Sequence, residues 1–337
     1  MASNKSTEIE DAALDSDVVG SMSDETFFQF IFFGLVLVPS VVSTLGIIFN
    51  IVNIVVYIKM GFSETINISL FGLAVADVGV QLTMIGFSVI FNPMVLTSVA
   101  DMDFINALDY VVLGWPHVLF SRIVACLTTY IAFERFMCVV MPLKVKVIIT
   151  PAKTVAVVTG IFSSITLCFL PAFIADQIGP RFNPRLNQTT IGLILAPNAS
   201  LLEDVSLFIS VFIQISSFIL IVVFTTGLIR AFIRNLNWRY ESSSSKNKSS
   251  SRDKALIKMV LLISVVYIAS SFPDVAGTVA MLFIKEFSIK GREKNTFISV
   301  FSVFFNICSL NSTATLFINV KMSSRFHQNF LAVFKFR

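Results

Sequence analysis

The chain has 337 residues, of which 55% are apolar and only 14% charged, with a formal net charge of +4. A soluble domain carries about a quarter charged residues. This composition, with 35 phenylalanines, therefore excludes a water-soluble globular protein and points to an integral membrane protein. The small positive balance calls for no nucleic acid, because it lies in short basic segments between long apolar runs.

The head of the chain, 1–26, is polar and acidic with a single lysine, Lys5. It lacks the basic stretch and short apolar core of a cleaved leader, so the first apolar run is expected to serve as the membrane signal. Seven such runs follow, at 27–57, 65–91, 107–140, 154–174, 205–233, 255–284 and 297–320. Each reaches the roughly 20 residues that span a bilayer as a helix. None shows the period-two alternation of a membrane barrel, and backbone in lipid must satisfy its own hydrogen bonds, which leaves helices. The fold expected is an all-α membrane protein: one seven-helix transmembrane bundle over 27–320, followed by a cytoplasmic amphipathic helix and tail over 321–337. Lysine and arginine crowd the segments after the odd-numbered runs, among them Lys59, Lys144, Lys146, Arg234 and Arg239. Positive residues favour the cytoplasm, so the N-terminus is expected outside and the C-terminus inside, in the plasma membrane.

Polar residues within the apolar runs mark chemistry, because each is costly to place in lipid. The first run holds Gly46 and Asn50, and the second holds Leu73-Ala74-Val75-Ala76-Asp77. In the third, His117, Ser121 and Arg122 lie in the outer half, and Ala132-Phe133-Glu134-Arg135-Phe136 stands near the inner end. Pro142 and Leu143 follow, where lysines begin. The fifth run carries Gln214, Ser216 and Ser217, the sixth Tyr267, Pro273 and Asp274, and the seventh Asn306, Asn311 and Ser312. Pro273 removes a backbone donor and should kink its helix. Arg122 and Asp274 either pair with each other or bind a small polar ligand, such as an amino acid or another zwitterion. Met322, Phe326, Phe330, Leu331 and Phe334 recur at helical spacing among basic and polar residues, the pattern of a helix lying in the membrane interface.

Between the runs, the outer segment 176–204 contains Pro180, Pro184 and Pro197 and is expected to cover part of the bundle mouth. The inner segment 235–253, with Ser242–Ser245 and Ser249–Ser251 among lysines, reads as a flexible linker or a phosphorylation cluster. Asn4, Asn187 and Asn198 open glycosylation triplets on the expected outer side. All four cysteines (Cys126, Cys138, Cys168 and Cys308) fall within runs, so no outer disulfide is expected.

The order of these landmarks resembles the rhodopsin-like G-protein-coupled receptors. Glu134-Arg135-Phe136 with Pro142-Leu143 is similar to their coupling signature. Gly46/Asn50, the Leu-Ala-Val-Ala-Asp element, Pro273 and Asn311-Ser312 are similar to their landmarks in the first, second, sixth and seventh spans. The resemblance implies that Glu134 holds Arg135 at rest, that Arg135 meets a heterotrimeric G protein when the sixth helix moves, and that Leu143 is an apolar knob for that partner. It also implies a polar core of Asn50, Asp77, Asn311 and Ser312, which holds water or sodium, or else is a protonated, hydrogen-bonded structural aspartate. His117 stands where amine receptors carry their ligand-binding aspartate, and His117, Ser121, Arg122, Asp274 and Asn306 form the candidate ligand set. Tyr267 and Pro273 belong to the candidate switch.

Departures are as informative. Thr315-Leu316-Phe317-Ile318-Asn319 stands where the family has Asn-Pro-x-x-Tyr, and Ser270-Ser271-Phe272-Pro273 stands where it has Cys-Trp-x-Pro. Tyr110 occupies the position of the usual outer cysteine. This divergent set is similar to the invertebrate chemosensory receptors, particularly those of molluscs. The seventh run has no lysine to anchor a retinal Schiff base. Only His117 and His327 are available for a metal enzyme, so no catalytic, metal or cofactor site is expected. A channel or transporter without G-protein coupling is the alternative; it would be expected to show internal repeats or broken helices.

Overall fold

A computed structural model describes residues 22–98, 102–183, 187–241, 248–288 and 291–334. For 235–241, 248–254 and 334 it describes the backbone only. Asn4, most of the acidic head and Ser242–Ser245 lie outside the described residues, as do the side chains of Ser249–Ser251.

Among the described residues, seven helices are long and apolar enough to cross a membrane. They are α1 (Asp24–Met60), α2 (Thr65–Ile90), α3 (Met102–Val140), α4 (Pro151–Ala175), α5 (Ala199–Glu241), α6 (Lys248–Phe283) and α7 (Lys294–Met322). An eighth, α8 (Ser324–Phe334), follows after a break at Ser323. Ser323 stops α7 in an extended conformation, and its hydroxyl then accepts the Phe326 amide, capping α8. The chain is an all-α seven-helix bundle with a C-terminal helix.

Sequential helices pack as neighbours, and α7 closes the ring against α1. The third helix touches α2, α4, α5 and α6 and so forms the axis of the bundle. Burial follows from this arrangement: 67% of the apolar window of α2 and 61% of that of α3 lie inside, against 22% in α4 and α5. The outward faces of α4 and α5 carry Leu167, Phe208 and Phe212, exposed by 67%, 73% and 66%. Such surfaces suit lipid rather than water.

The inward face of α3 includes a row at every fourth residue, Trp115, Leu119, Ile123, Leu127 and Ile131, all buried. Residues four apart form one ridge of a helix. The next member of that ridge is Arg135, so the packing that buries the row also carries the guanidinium into the bundle.

Two helices contain a π-wound segment, Phe32–Leu37 in α1 and Leu108–Gly114 in α3. Each ends two residues before a proline, Pro39 and Pro116. Proline has no amide to give to the carbonyl four residues back. The π turn works round this: Val38 donates to Phe33 and Trp115 to Tyr110, each reaching back five residues. In α6, Pro273 lies within an unbroken helix, and the hydroxyls of Ser270 and Ser271 both donate to the Tyr267 carbonyl.

Between α4 and α5 the chain forms a hairpin of β1 (Asp176–Asn183) and β2 (Gln188–Leu195), paired antiparallel. The sequence reading places this stretch in the outer loop 176–204 and assigns it no strands. The β-branched Thr189, Thr190, Ile191 and Ile194 favour the extended backbone of β2, and Asn187 takes a positive φ of 48° between the two strands. The second strand packs on the outer end of α3, where Gly192 faces Asp103.

Candidate functional site

Near the C-terminal end of α3, Glu134 is fully buried and Arg135 nearly so. Arg135 Nη2 donates to Glu134 Oε1 at 2.6 Å. A buried carboxylate needs further donors to offset lost hydration, and α2 supplies them one turn apart. The Thr65 hydroxyl donates to Oε1, and the Ser69 hydroxyl donates to Oε2 at 3.0 Å. Phe136 points elsewhere, over Gly227 of α5, where an added Cβ would meet its ring at 2.8 Å. Pro142 begins a short helix, Pro142–Ile148, on which Leu143 is 89% exposed.

Next to this site the inner ends of α1, α2 and α6 and the start of α8 border a cavity of about 490 Å³, lined by Tyr57, Leu70, Leu256, Met259 and Phe326. The eighth helix is fastened over it. Arg325 pairs with Glu64 at 2.5 Å and donates to the Met60 carbonyl at 3.0 Å, and Phe326 packs on Tyr57 with ring centroids 5.3 Å apart.

A second cavity, of about 60 Å³, lies between α2, α3, α5, α6 and α7. It brings together residues that the sequence separates into two groups. His117, Ser121, Arg122 and Asp274 of the ligand set line it, and so do Asp77, Asn311 and Ser312 of the polar core. Tyr267 lines it as well, which puts half of the candidate switch in its wall. Arg122 and Asp274 do not join each other. Arg122 Nε donates to Ser210 Oγ at 2.9 Å, and Asp274 Oδ2 accepts from Gln214 Nε2 at 2.6 Å. Both braces come from α5, one turn apart, and Gln214 is itself fixed by the Thr278 hydroxyl at 3.2 Å.

His117 is already occupied. Its Nδ1 lies 2.9 Å from Thr83 Oγ1, whose own proton goes to the Val80 carbonyl at 2.7 Å, so Nδ1 carries the hydrogen. The ring sits between Phe305 and Phe87, with centroids at 4.5 and 5.7 Å. Asn306 does not line the cavity; it donates to the carbonyls of Gly34, at 2.5 Å, and Ser302, at 2.8 Å, tying α7 to the π segment of α1.

The polar core extends further than the sequence landmarks. Asn50 donates to the Gly46 carbonyl and to Ser312 Oγ, at 3.0 and 3.2 Å. Asn53 donates to Asn50 Oδ1 at 3.3 Å, and Asn319 donates to Asn53 Oδ1 at 3.2 Å. One turn outward from Asp77, Gln81 accepts from Ser309 Oγ at 2.6 Å and donates to the Ser309 carbonyl at 3.1 Å. Gly46 lets this happen: a Cβ there would meet Gln81 and Thr313 at 2.8 Å. Small residues allow polar contacts between membrane helices in this way.

At the outer end, Trp115 Nε1 donates to Asp176 Oδ2 at 2.7 Å, linking α3 to the first residue of the hairpin. Among the described residues none of the four cysteines forms a disulfide. The glycosylation candidates Asn187 and Asn198 are exposed, at the hairpin turn and immediately before α5.

The family described as 7 transmembrane receptor (rhodopsin family) matches residues 50–318, most of the chain, and the protein belongs to it. A search among curated proteins finds no match.

Proposed function

We propose that this member of the rhodopsin family binds a small extracellular molecule in the cavity between α3, α5, α6 and α7 and activates a heterotrimeric G protein at the inner end of α3. The N-terminus lies outside the plasma membrane and the C-terminus in the cytoplasm, as the placement of lysine and arginine favours. The ligand stabilises an arrangement in which the inner end of α6, with Leu256 and Met259, moves away from Tyr57, Leu70 and Phe326 across the cavity they share, and the populations shift accordingly. Arg135 then leaves Glu134 for the G protein, and Leu143 meets the same partner. The departures at the relay positions resemble those of the invertebrate chemosensory receptors, and the ligand proposed from that resemblance is a chemosensory cue.

One observation carries this reading. Arg135 is delivered into the bundle by the buried row of α3 and held there by a Glu134 whose two oxygens are engaged by Arg135, Thr65 and Ser69. A structural arginine at a membrane edge would instead reach outward to phosphates. The test is Arg135→Ala in cells, with G-protein activation recorded over a panel of amino acids, amines and short peptides. Activation should be lost at unchanged surface expression. Full activation by the variant would overturn the assignment.

A further inference from the structure

The small cavity holds two opposite charges that have been kept apart. Arg122 from α3 and Asp274 from α6 both line it. Unit charges of opposite sign attract strongly in a medium of low dielectric constant, and a purely structural pair would close on itself. Here each is braced separately by α5, Arg122 through Nε on Ser210 and Asp274 through Oδ2 on Gln214. The braces leave the two terminal nitrogens of Arg122 and Oδ1 of Asp274 with no partner among the described residues. These are the groups with which a guanidinium recognises a carboxylate and a carboxylate recognises an ammonium.

We infer that the ligand is a compact zwitterion, such as an amino acid, with its anionic group on Arg122 and its cationic group on Asp274; this rests on the receptor reading of the cavity. A simple amine would leave Arg122 uncompensated, and a simple acid would leave Asp274 so, each an unpaired charge inside a membrane bundle. Size argues the same way. At about 60 Å³ the cavity holds a few water molecules. It must widen even for a small ligand, and a peptide or long acyl chain would force the helices apart. Tyr267, Phe305 and Phe218 complete the wall, and an aromatic face attracts an ammonium group.

The test uses the full-length receptor. Purified protein is exposed to the standard amino acids, β-alanine and γ-aminobutyrate, and to the matched decarboxylated amines and deaminated acids, with thermal stabilisation as the binding readout. The same compounds are applied to cells with G-protein activation as the second readout. At least one zwitterion should bind, and its amine and acid counterparts should bind roughly 100-fold more weakly. Arg122→Gln, Asp274→Asn and the double variant should each lose that binding at normal surface expression. The double variant leaves no lone charge, so its loss of binding is not a folding defect. Activation by an amine or acid alone, with every zwitterion silent, would overturn the ligand class and leave the receptor reading standing. Zwitterion binding that depends on both charges but evokes no G-protein activation would do the reverse. No stabilisation by any zwitterion overturns the inference.

Discussion

Asn319 of α7 donates its side-chain amide to Asn53 of α1 at 3.2 Å, at the position where the family carries the tyrosine of Asn-Pro-x-x-Tyr. The inner end of α7 is therefore latched to α1 by a ladder from Asn319 through Asn53 and Asn50 to Ser312. With Leu316 where the family has proline, α7 runs unbroken from Lys294 to Met322, and the ladder holds it without a kink. Asn319→Ala would leave the buried Asn53 carbonyl oxygen without its donor, at a cost of about 1–3 kcal/mol. The expected outcome is a lower melting temperature and raised ligand-independent signalling, read by thermal unfolding of purified receptor and by basal G-protein activation. Unchanged basal activity at lowered stability would limit the ladder to a structural part.

Glu134→Gln separates charge from hydrogen bonding at the proposed coupling site. Glutamine keeps one acceptor oxygen, enough for either Thr65 or Ser69, offers an amide donor in place of the other oxygen, and no longer holds Arg135 electrostatically. Basal G-protein activation should rise several-fold at similar expression, since an adjacent opposite charge is what keeps the guanidinium in place. Thr65→Val should act in the same direction and more weakly, because it removes one of the donors that fix the carboxylate.

Trp115→Phe keeps the aromatic packing against Phe169 and Tyr110, whose rings lie 6.3 and 6.2 Å away, and deletes only the hydrogen bond to Asp176. A hydrogen bond to a charged group contributes about 1.5–3 kcal/mol. Lower thermal stability and faster ligand release are expected, because this bond holds the hairpin to the outer end of α3. Asp176→Asn should behave alike, and the double variant should add little to either single one, which a double-mutant cycle would measure.

The helices were legible in the sequence because length and apolarity alone decide a transmembrane run, and the coupling pair because two adjacent charges at a membrane edge stand out. The hairpin was not. The segment with Pro180, Pro184 and Pro197 was expected only to cover the bundle mouth, whereas Pro180–Phe182 pair along one strand with Thr189–Ile191 of the other. In the polar core, spacing held more than the landmarks suggested. Asn53 follows Asn50 by three residues, Gln81 follows Asp77 by four and Asn319 follows Asn311 by eight, so each shares a helix face with its landmark. The braces on Arg122 and Asp274 were out of reach, since Ser210 and Gln214 contact them across helices whose rotation no single sequence specifies.

Leu143 tests whether the second inner loop belongs to the output surface. Its side chain is 89% exposed on the short helix that begins at Pro142, so it contributes little to the fold. Leu143→Ala should change stability by no more than about 0.5 kcal/mol, the range for exposed positions. Burying a leucine against a partner contributes about 1.5–3 kcal/mol, so a G protein that uses it should couple roughly tenfold or more weakly once it is gone. The discriminating measurement is G-protein activation rate against thermal stability in the same preparation. A lower rate at unchanged stability places Leu143 in the interface. Equal rates would confine the coupling surface to Arg135 and the α6 side of the bundle.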